Sequence, residues 1–101
     1  MDLKLNDKVV IVTGGNKGIG EGITRSFVDE GAIAVVFGRN REEGKAFVDE
    51  LKSAGGKAAF RFAEMTNEEN VKDAVAQTLE EFGRIDIVVN NAGVNDGVDL
   101  E

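Results

Sequence analysis

The stretch Val9-Val10-Ile11-Val12-Thr13-Gly14-Gly15-Asn16-Lys17-Gly18-Ile19-Gly20 runs from an apolar β-type segment into a glycine-rich turn. An amphipathic helical pattern carrying Ile19, Ile23, Phe27 and Val28 follows it. Apolar residues without alternation suit a strand covered on both faces. The start of a helix presents unpaired N–H groups and the positive end of its dipole, and both favour an anion there. Glycines let the backbone turn tightly and let a pyrophosphate approach with no Cβ in the way. Strand, glycine turn and helix in this order therefore predict a phosphate cradle. A glycine-rich string alone is weak evidence, and the flanking strand and helix are the context that strengthens it.

Outward from this turn the chain alternates strands and helices. The first helix is expected from about Gly18 to Glu30, with Gly31 ending it. Gly22 inside it costs about 1 kcal/mol relative to Ala, which a close helix–strand contact there would explain. Ala32 to Phe37 reads as a second strand, and Arg41 to Ala54 as a helix with Phe47, Leu51 and Ala54 on one side, closed by Gly55-Gly56. Lys57 to Phe62 reads as a weaker third strand. Thr66-Asn67-Glu68-Glu69 fits a capping box with Thr66 as N-cap. The stripe Val71, Ala74, Val75, Thr78, Leu79 and Phe82 behind it reads as core packing, and Gly83 stops the helix. Ile85 to Asn90 is the fourth strand, with Asp86 at its mouth, and Asn95-Asp96-Gly97 makes a turn. Such alternation predicts βαβ units, a parallel sheet and right-handed crossovers with helices on both faces. The expected fold is α/β, a three-layer, Rossmann-type doubly wound parallel sheet. Only its first four strands are present, in order 3-2-1-4. Residues 1–101 then form a single, truncated dinucleotide-binding domain.

Composition narrows the chemistry. The chain has 101 residues, 42% hydrophobic and 31% charged, which is globular rather than disordered. Its net charge of −7 argues against nucleic-acid or anionic-membrane partners. With no Cys there are no disulfides and no thiolate chemistry, and with no His the commonest metal ligand and the usual general base are missing, so no metal site is expected. The apolar runs are too short to span a membrane, and Met1 to Lys8 carry no signal-peptide core. A cytoplasmic location is the expectation.

The glycine spacing G-x-x-x-G-x-G at Gly14, Gly18 and Gly20, with Thr13 ahead, departs from the G-x-G-x-x-G fingerprint. Taken with Asn90-Asn91-Ala92-Gly93, it resembles the short-chain dehydrogenase/reductase family, which carries both motifs at the ends of its first and fourth strands. The resemblance covers essentially the whole chain. It implies an NAD(P)-dependent oxidoreductase, with hydride transfer between a nicotinamide cofactor and an alcohol or carbonyl. Asn90 to Val98, with Leu100-Glu101 after it, looks like family members that oxidise free sugars such as L-fucose. The family's catalytic groups are a Ser and a Tyr-x-x-x-Lys pair beyond the fourth strand. This chain has no Tyr, and its only serines, Ser26 and Ser53, fall in expected helices. The 101 residues alone are therefore expected to show no turnover, and the assembly into homo-oligomers that the family implies belongs to the full-length enzyme.

The resemblance also distributes the cofactor contacts. Gly14, Gly18 and Gly20 form the turn, while Asn16, Lys17 and Ile19 flank the pyrophosphate and ribose, Ile19 also closing over the nicotinamide. After the second strand the chain reads Phe37-Gly38-Arg39-Asn40-Arg41, where an acidic residue would select NAD through the adenosine ribose. Arg39 is instead a planar cation suited to a 2′-phosphate, and Lys17 can reach the same phosphate. NADP(H) is therefore favoured, with NAD(H) possible. Arg39 and Lys17 as plain exposed loop cations is the competing reading. Glu64 stands where the family has an Asp that takes the adenine amino group, and the Met65 N–H would meet the ring. Glu64 as a mere exposed carboxylate has nearly equal standing. Asn91, Ala92 and Gly93 would lie against the cofactor riboses, and Asn90 would tie the fourth strand to its neighbours. Three other functions compete: a stand-alone nucleotide-binding module without catalysis, a non-functional remnant, and a carboxylate hydrolase built on Glu64 and Asp86.

Overall fold

The computed structural model describes residues 5–14 and 16–91. Strand β1 (Val9–Thr13) is followed by α1 (Gly18–Asp29), β2 (Ile33–Gly38), α2 (Arg41–Ser53), β3 (Lys57–Phe62), α3 (Glu68–Phe82) and β4 (Ile87–Asn90). The strands form one sheet in the order β3-β2-β1-β4, with every pairing parallel. The doubly wound order expected from the alternating pattern is thus the order observed.

Burial follows from the apolar runs. All five residues of β1 and the central four of β2 are buried, as strands between two helical layers must be. Val10 and Val12 face α1, where Ile23 and Phe27 pack against them. Val36 and Ala58 meet Phe47, Val48 and Leu51 of α2. On the other face Val9, Ile11, Val35 and Phe37 meet Ala74, Val75 and Phe82 of α3. Each fully buried valine contributes roughly 1.5–3 kcal/mol from area removed from water. An Arg25 guanidinium ties the first layer together. It accepts no bond but donates to Glu21 and to Glu50 across the helix pair, and lies 5.1 Å from the centroid of the Phe47 ring.

Three local expectations are corrected. The N-cap of α3 is Asn67, whose Oδ1 accepts the Asn70 N–H at 3.1 Å, and not Thr66. The Thr66 hydroxyl instead donates to the Glu64 carboxylate. β4 begins at Ile87, two residues late, because Asp86 uses both its backbone and its side chain at the mouth of β1. Its N–H donates to the Val9 carbonyl and its carboxylate accepts the Val9 N–H, each at 2.8 Å. Ile85 packs into the core without joining the ladder. Finally, a Cβ on Gly22 would meet nothing within 4 Å, so no close helix–strand contact explains that glycine. The close approach falls at Gly20, where a Cβ would overlap the Gly14 carbonyl oxygen and stand 2.7 Å from Asn91 Nδ2.

Two predictions follow from these positions. Gly22→Ala is expected to stabilise the chain by roughly 0.5–1 kcal/mol by removing a flexible residue from a helix interior. Gly20→Ala is expected to destabilise it by about 1–3 kcal/mol through overpacking against fixed backbone. Urea midpoints measure both. At the other end of the sheet, the Arg84 guanidinium and the Val9 amide hold the Asp86 carboxyl below the usual carboxylate range. A depressed folded value means stability present above the unfolded value of about 4 and lost as pH falls through the folded one. Asp86→Asn should therefore lower the urea midpoint at neutral pH, and its gap from the natural chain should close below about pH 4.

Candidate functional site

The carboxyl ends of β1, β2, β3 and β4 open onto a crevice of about 1180 Å³. Open α/β sheets bind ligands there, beside the point where the strand order reverses. Here that point lies between β1 and β4, because the chain leaves β1 toward β2 and β3 and returns to β4 on the opposite side.

The turn after β1 is built from positive-φ glycines, Gly14 at 67° and Gly18 at 49°. Both are in the left-handed region that a side chain disfavours. The Gly14 N–H donates to the Phe37 carbonyl at 2.8 Å, which fixes the turn to the end of β2. Lys17 holds the N-cap position of α1 in an extended conformation, and its side chain makes no capping hydrogen bond. The other two helices differ: Asn40 accepts the Glu43 N–H on α2 and Asn67 accepts the Asn70 N–H on α3. The first turn of α1 thus has no capping acceptor on its N-cap residue, and that residue, Lys17, lines the crevice. A Cβ on Gly18 would meet nothing within 4 Å, so it is the positive φ, and not crowding, that favours glycine there. Ile19 is 64% exposed on the same turn, an apolar side chain offered outward.

The ends of β1 and β4 are locked by Thr13, a residue whose role the sequence reading did not identify. Its hydroxyl accepts the Asn91 N–H at 2.8 Å and lies 3.2 Å from Asn90 Oδ1 as a donor. Asn90 accordingly ties β4 to β1, as expected. Asn91 is buried, and its Nδ2 reaches the Gly14 carbonyl at 3.4 Å. The only signal for Thr13 was its position before the first glycine. Ala92 and Gly93 lie outside the described residues, as does the turn at 95–97.

Across the crevice, Asn16 lies against the end of β2, its Oδ1 3.3 Å from where a Cβ of Gly38 would be. Arg39 follows β2 and is 75% exposed, with its guanidinium 3.8 Å from the Glu64 carboxylate. Lys17 Nζ is 3.3 Å from Glu43 on α2. Glu64 is held from several sides. Its N–H donates to Asn70 Oδ1 at 3.2 Å, its carbonyl accepts the Asn67 N–H, and its carboxylate accepts the Thr66 hydroxyl. Asn70 is thus a support that sequence reasoning missed, hidden by the misplaced cap. Met65 beside it packs into the core with Phe37 and Ala63. The structure therefore brings Gly14, Asn16, Lys17, Arg39, Glu64, Met65 and Asn91 to one crevice.

Other chemistry does not assemble. Asp86 sits at the amino end of β4 and Glu64 at the carboxyl end of β3, so they cannot form a catalytic carboxylate pair. A smaller groove of about 400 Å³ beside β3 carries Arg41, Lys45 and Arg61, but Glu81 already pairs with Arg61. Among the described residues no group of three or more acidic, His or Cys side chains could hold a metal ion, and no helix is long and apolar enough to cross a membrane.

Comparison with known proteins agrees with this geometry. Residues 8–101 match the family model described as short chain dehydrogenase. The chain is 43% identical over 94 residues to a 3-oxoacyl-[acyl-carrier-protein] reductase of Chlamydia pneumoniae, covering 93% of this chain and 38% of that protein. It is 43% identical over 93 residues to an L-fucose dehydrogenase of Bos taurus, covering 92% of this chain and 33% of that protein. The crystal structure of L-sorbose reductase from Gluconobacter frateurii, complexed with NADPH and L-sorbose, superposes with a TM-score of 0.87 at 33% identity, over 92% of this chain and 36% of that one. The chain thus spans well under half the length of the curated relatives it matches. With nearly all of its residues inside that family model, the chain belongs to the short chain dehydrogenase family.

Proposed function

We propose that this chain is the dinucleotide-binding portion, residues 1–101, of a cytoplasmic oxidoreductase that takes NADP(H) in preference to NAD(H). The observation that carries the reading is the start of α1, whose N-cap Lys17 makes no side-chain capping bond and lines a crevice that also carries Arg39 and Arg41. A diphosphate fits there: glycine backbone surrounds the space, the helix start supplies donors, and Gly20 lets the helix close on the turn. Gly14, Asn16, Lys17, Gly18, Ile19 and Gly20 would hold the diphosphate and adjoining riboses. Arg39 and Lys17 would take a 2′-phosphate, Glu64 and Met65 the adenine, and Asn91, Ala92 and Gly93 the remaining ribose contacts.

Support for NADP(H) is the guanidinium after β2, where an NAD-selecting site places a carboxylate. The likeness to a reductase solved with NADPH points the same way. When bound, the cofactor supplies hydride transfer, and the protein supplies orientation and electrostatics. The whole protein would act on an alcohol or carbonyl, and similarity to enzymes of L-fucose and L-sorbose makes a sugar the first class to try. The 101 residues contain no Tyr to serve as the proton-transferring phenol of the family. Binding without turnover is therefore the behaviour proposed for the chain by itself.

With no Trp and no Tyr, the chain adds little near-ultraviolet background, so nucleotide fluorescence reads binding cleanly. Titration should give saturable enhancement of NADPH fluorescence. Arg39→Ala should weaken NADPH about tenfold, the lower range for a charge-assisted contact at an exposed site, and should cost NADH less. Failure of a folded sample to bind either nucleotide would refute the proposal. Incubation of the chain with NADPH and a panel of ketoses and aldehydes should consume no cofactor, and turnover would show that other residues do the chemistry.

A further inference from the structure

Two of the three cations that line the crevice, Lys17 and Arg39, are engaged by carboxylates, while the third, Arg41, lies over the Phe62 ring. Lys17, at the N-cap of α1, pairs with Glu43 in the first turn of α2, and Arg39, after β2, pairs with Glu64, after β3. The acids are placed by the backbone. The Glu43 N–H is fixed by Asn40 Oδ1 at 3.0 Å, and Glu64 is clamped by Asn70 and Thr66. Glu43 also sits where the dipole of α2 favours negative charge. A phosphate held by Lys17 and Arg39, which line the same crevice, would compete with these partners as counter-anion and be repelled by their carboxylates. A nucleotide without that phosphate does not compete for the two cations.

We infer that Glu43 and Glu64 are specificity-determining residues that act through Lys17 and Arg39, holding down the preference for a 2′-phosphorylated nucleotide. The inference rests on the nucleotide-binding reading above. Glu43 is a positioning residue in this scheme: it holds Lys17 and touches no part of the cofactor.

The test measures Kd for NADPH and for NADH on the natural chain, Glu43→Gln, Lys17→Met and the double variant, with far-ultraviolet circular dichroism verifying the fold of each. Exposed ion pairs are weak, so Glu43→Gln should raise the ratio of Kd for NADH to Kd for NADPH by roughly two- to fivefold. The effect should fade as salt rises from about 0.02 to 0.5 M, because screening already weakens the pair. In the Lys17→Met background, Glu43→Gln should leave the ratio where Lys17→Met alone puts it. Glu64→Gln, which keeps an acceptor for the adenine, should raise the ratio as well. An unchanged or lowered ratio in Glu43→Gln overturns the inference while leaving nucleotide binding standing. A shift that persists without Lys17 overturns it too, since Glu43 would then act by another route. Absence of binding by the natural chain overturns the inference together with the reading beneath it.

Discussion

The structure depends on how closely α1 can settle onto the turn that precedes it. Gly20 has no side chain, and the place its Cβ would take is filled by the Gly14 carbonyl oxygen and approached by the Asn91 amide. That one omission brings three segments together. The turn after β1, the first turn of α1 and the end of β4 share the same small volume, and Thr13 completes the joint by accepting the Asn91 N–H. Behind the joint, the valines of β1 and β2 anchor α1, α2 and α3 against the sheet. The crevice is the open front of this arrangement, so its shape is inherited from the packing behind it.

Local sequence reported well on whatever is decided locally. The unalternated run Val9 to Val12, the glycine turn and the three helical stripes each specify their element by period and by residue type, and the parallel order follows from connection length and handedness. Lys57 to Phe62 reads as a strand from its sequence and is β3 with those bounds. Errors arose where two segments compete for one role. Thr66 and Asn67 are both good caps, and Asn67 prevails because the Glu64 carboxylate draws the Thr66 hydroxyl away. Ile85 and Asp86 look like strand, but Asp86 binds Val9 with main chain and side chain together and delays the ladder.

The site was legible in the same uneven way. Glycine spacing and the Asn90-Asn91 pair are short-range patterns, and the structure gathers the described members at one crevice. Gly22 shows the limit of the approach, since a glycine in a helix does not reveal whether a neighbour needs its space, and here none does. The pairing of Lys17 with Glu43 and of Arg39 with Glu64 could not be read at all. Those partners are 26 and 25 positions apart and meet only because β2 and β3 end side by side with α1.

The two ends of the sheet are finished differently. At the amino ends, charges are matched within the fold: Lys57 with Asp7, Arg84 with Asp86, and Asp86 with the Val9 amide. At the carboxyl ends, glycine turns and an open helix start stand beside the exposed pairs of Lys17 and Arg39. The molecule therefore keeps one set of its fastenings, that of the amino margin, clear of its chemistry. Mutational drift along the first margin can trade one fastening for another without reshaping the second, which leaves evolution, or an engineer, free to harden the scaffold and retune its ligand preference as independent tasks.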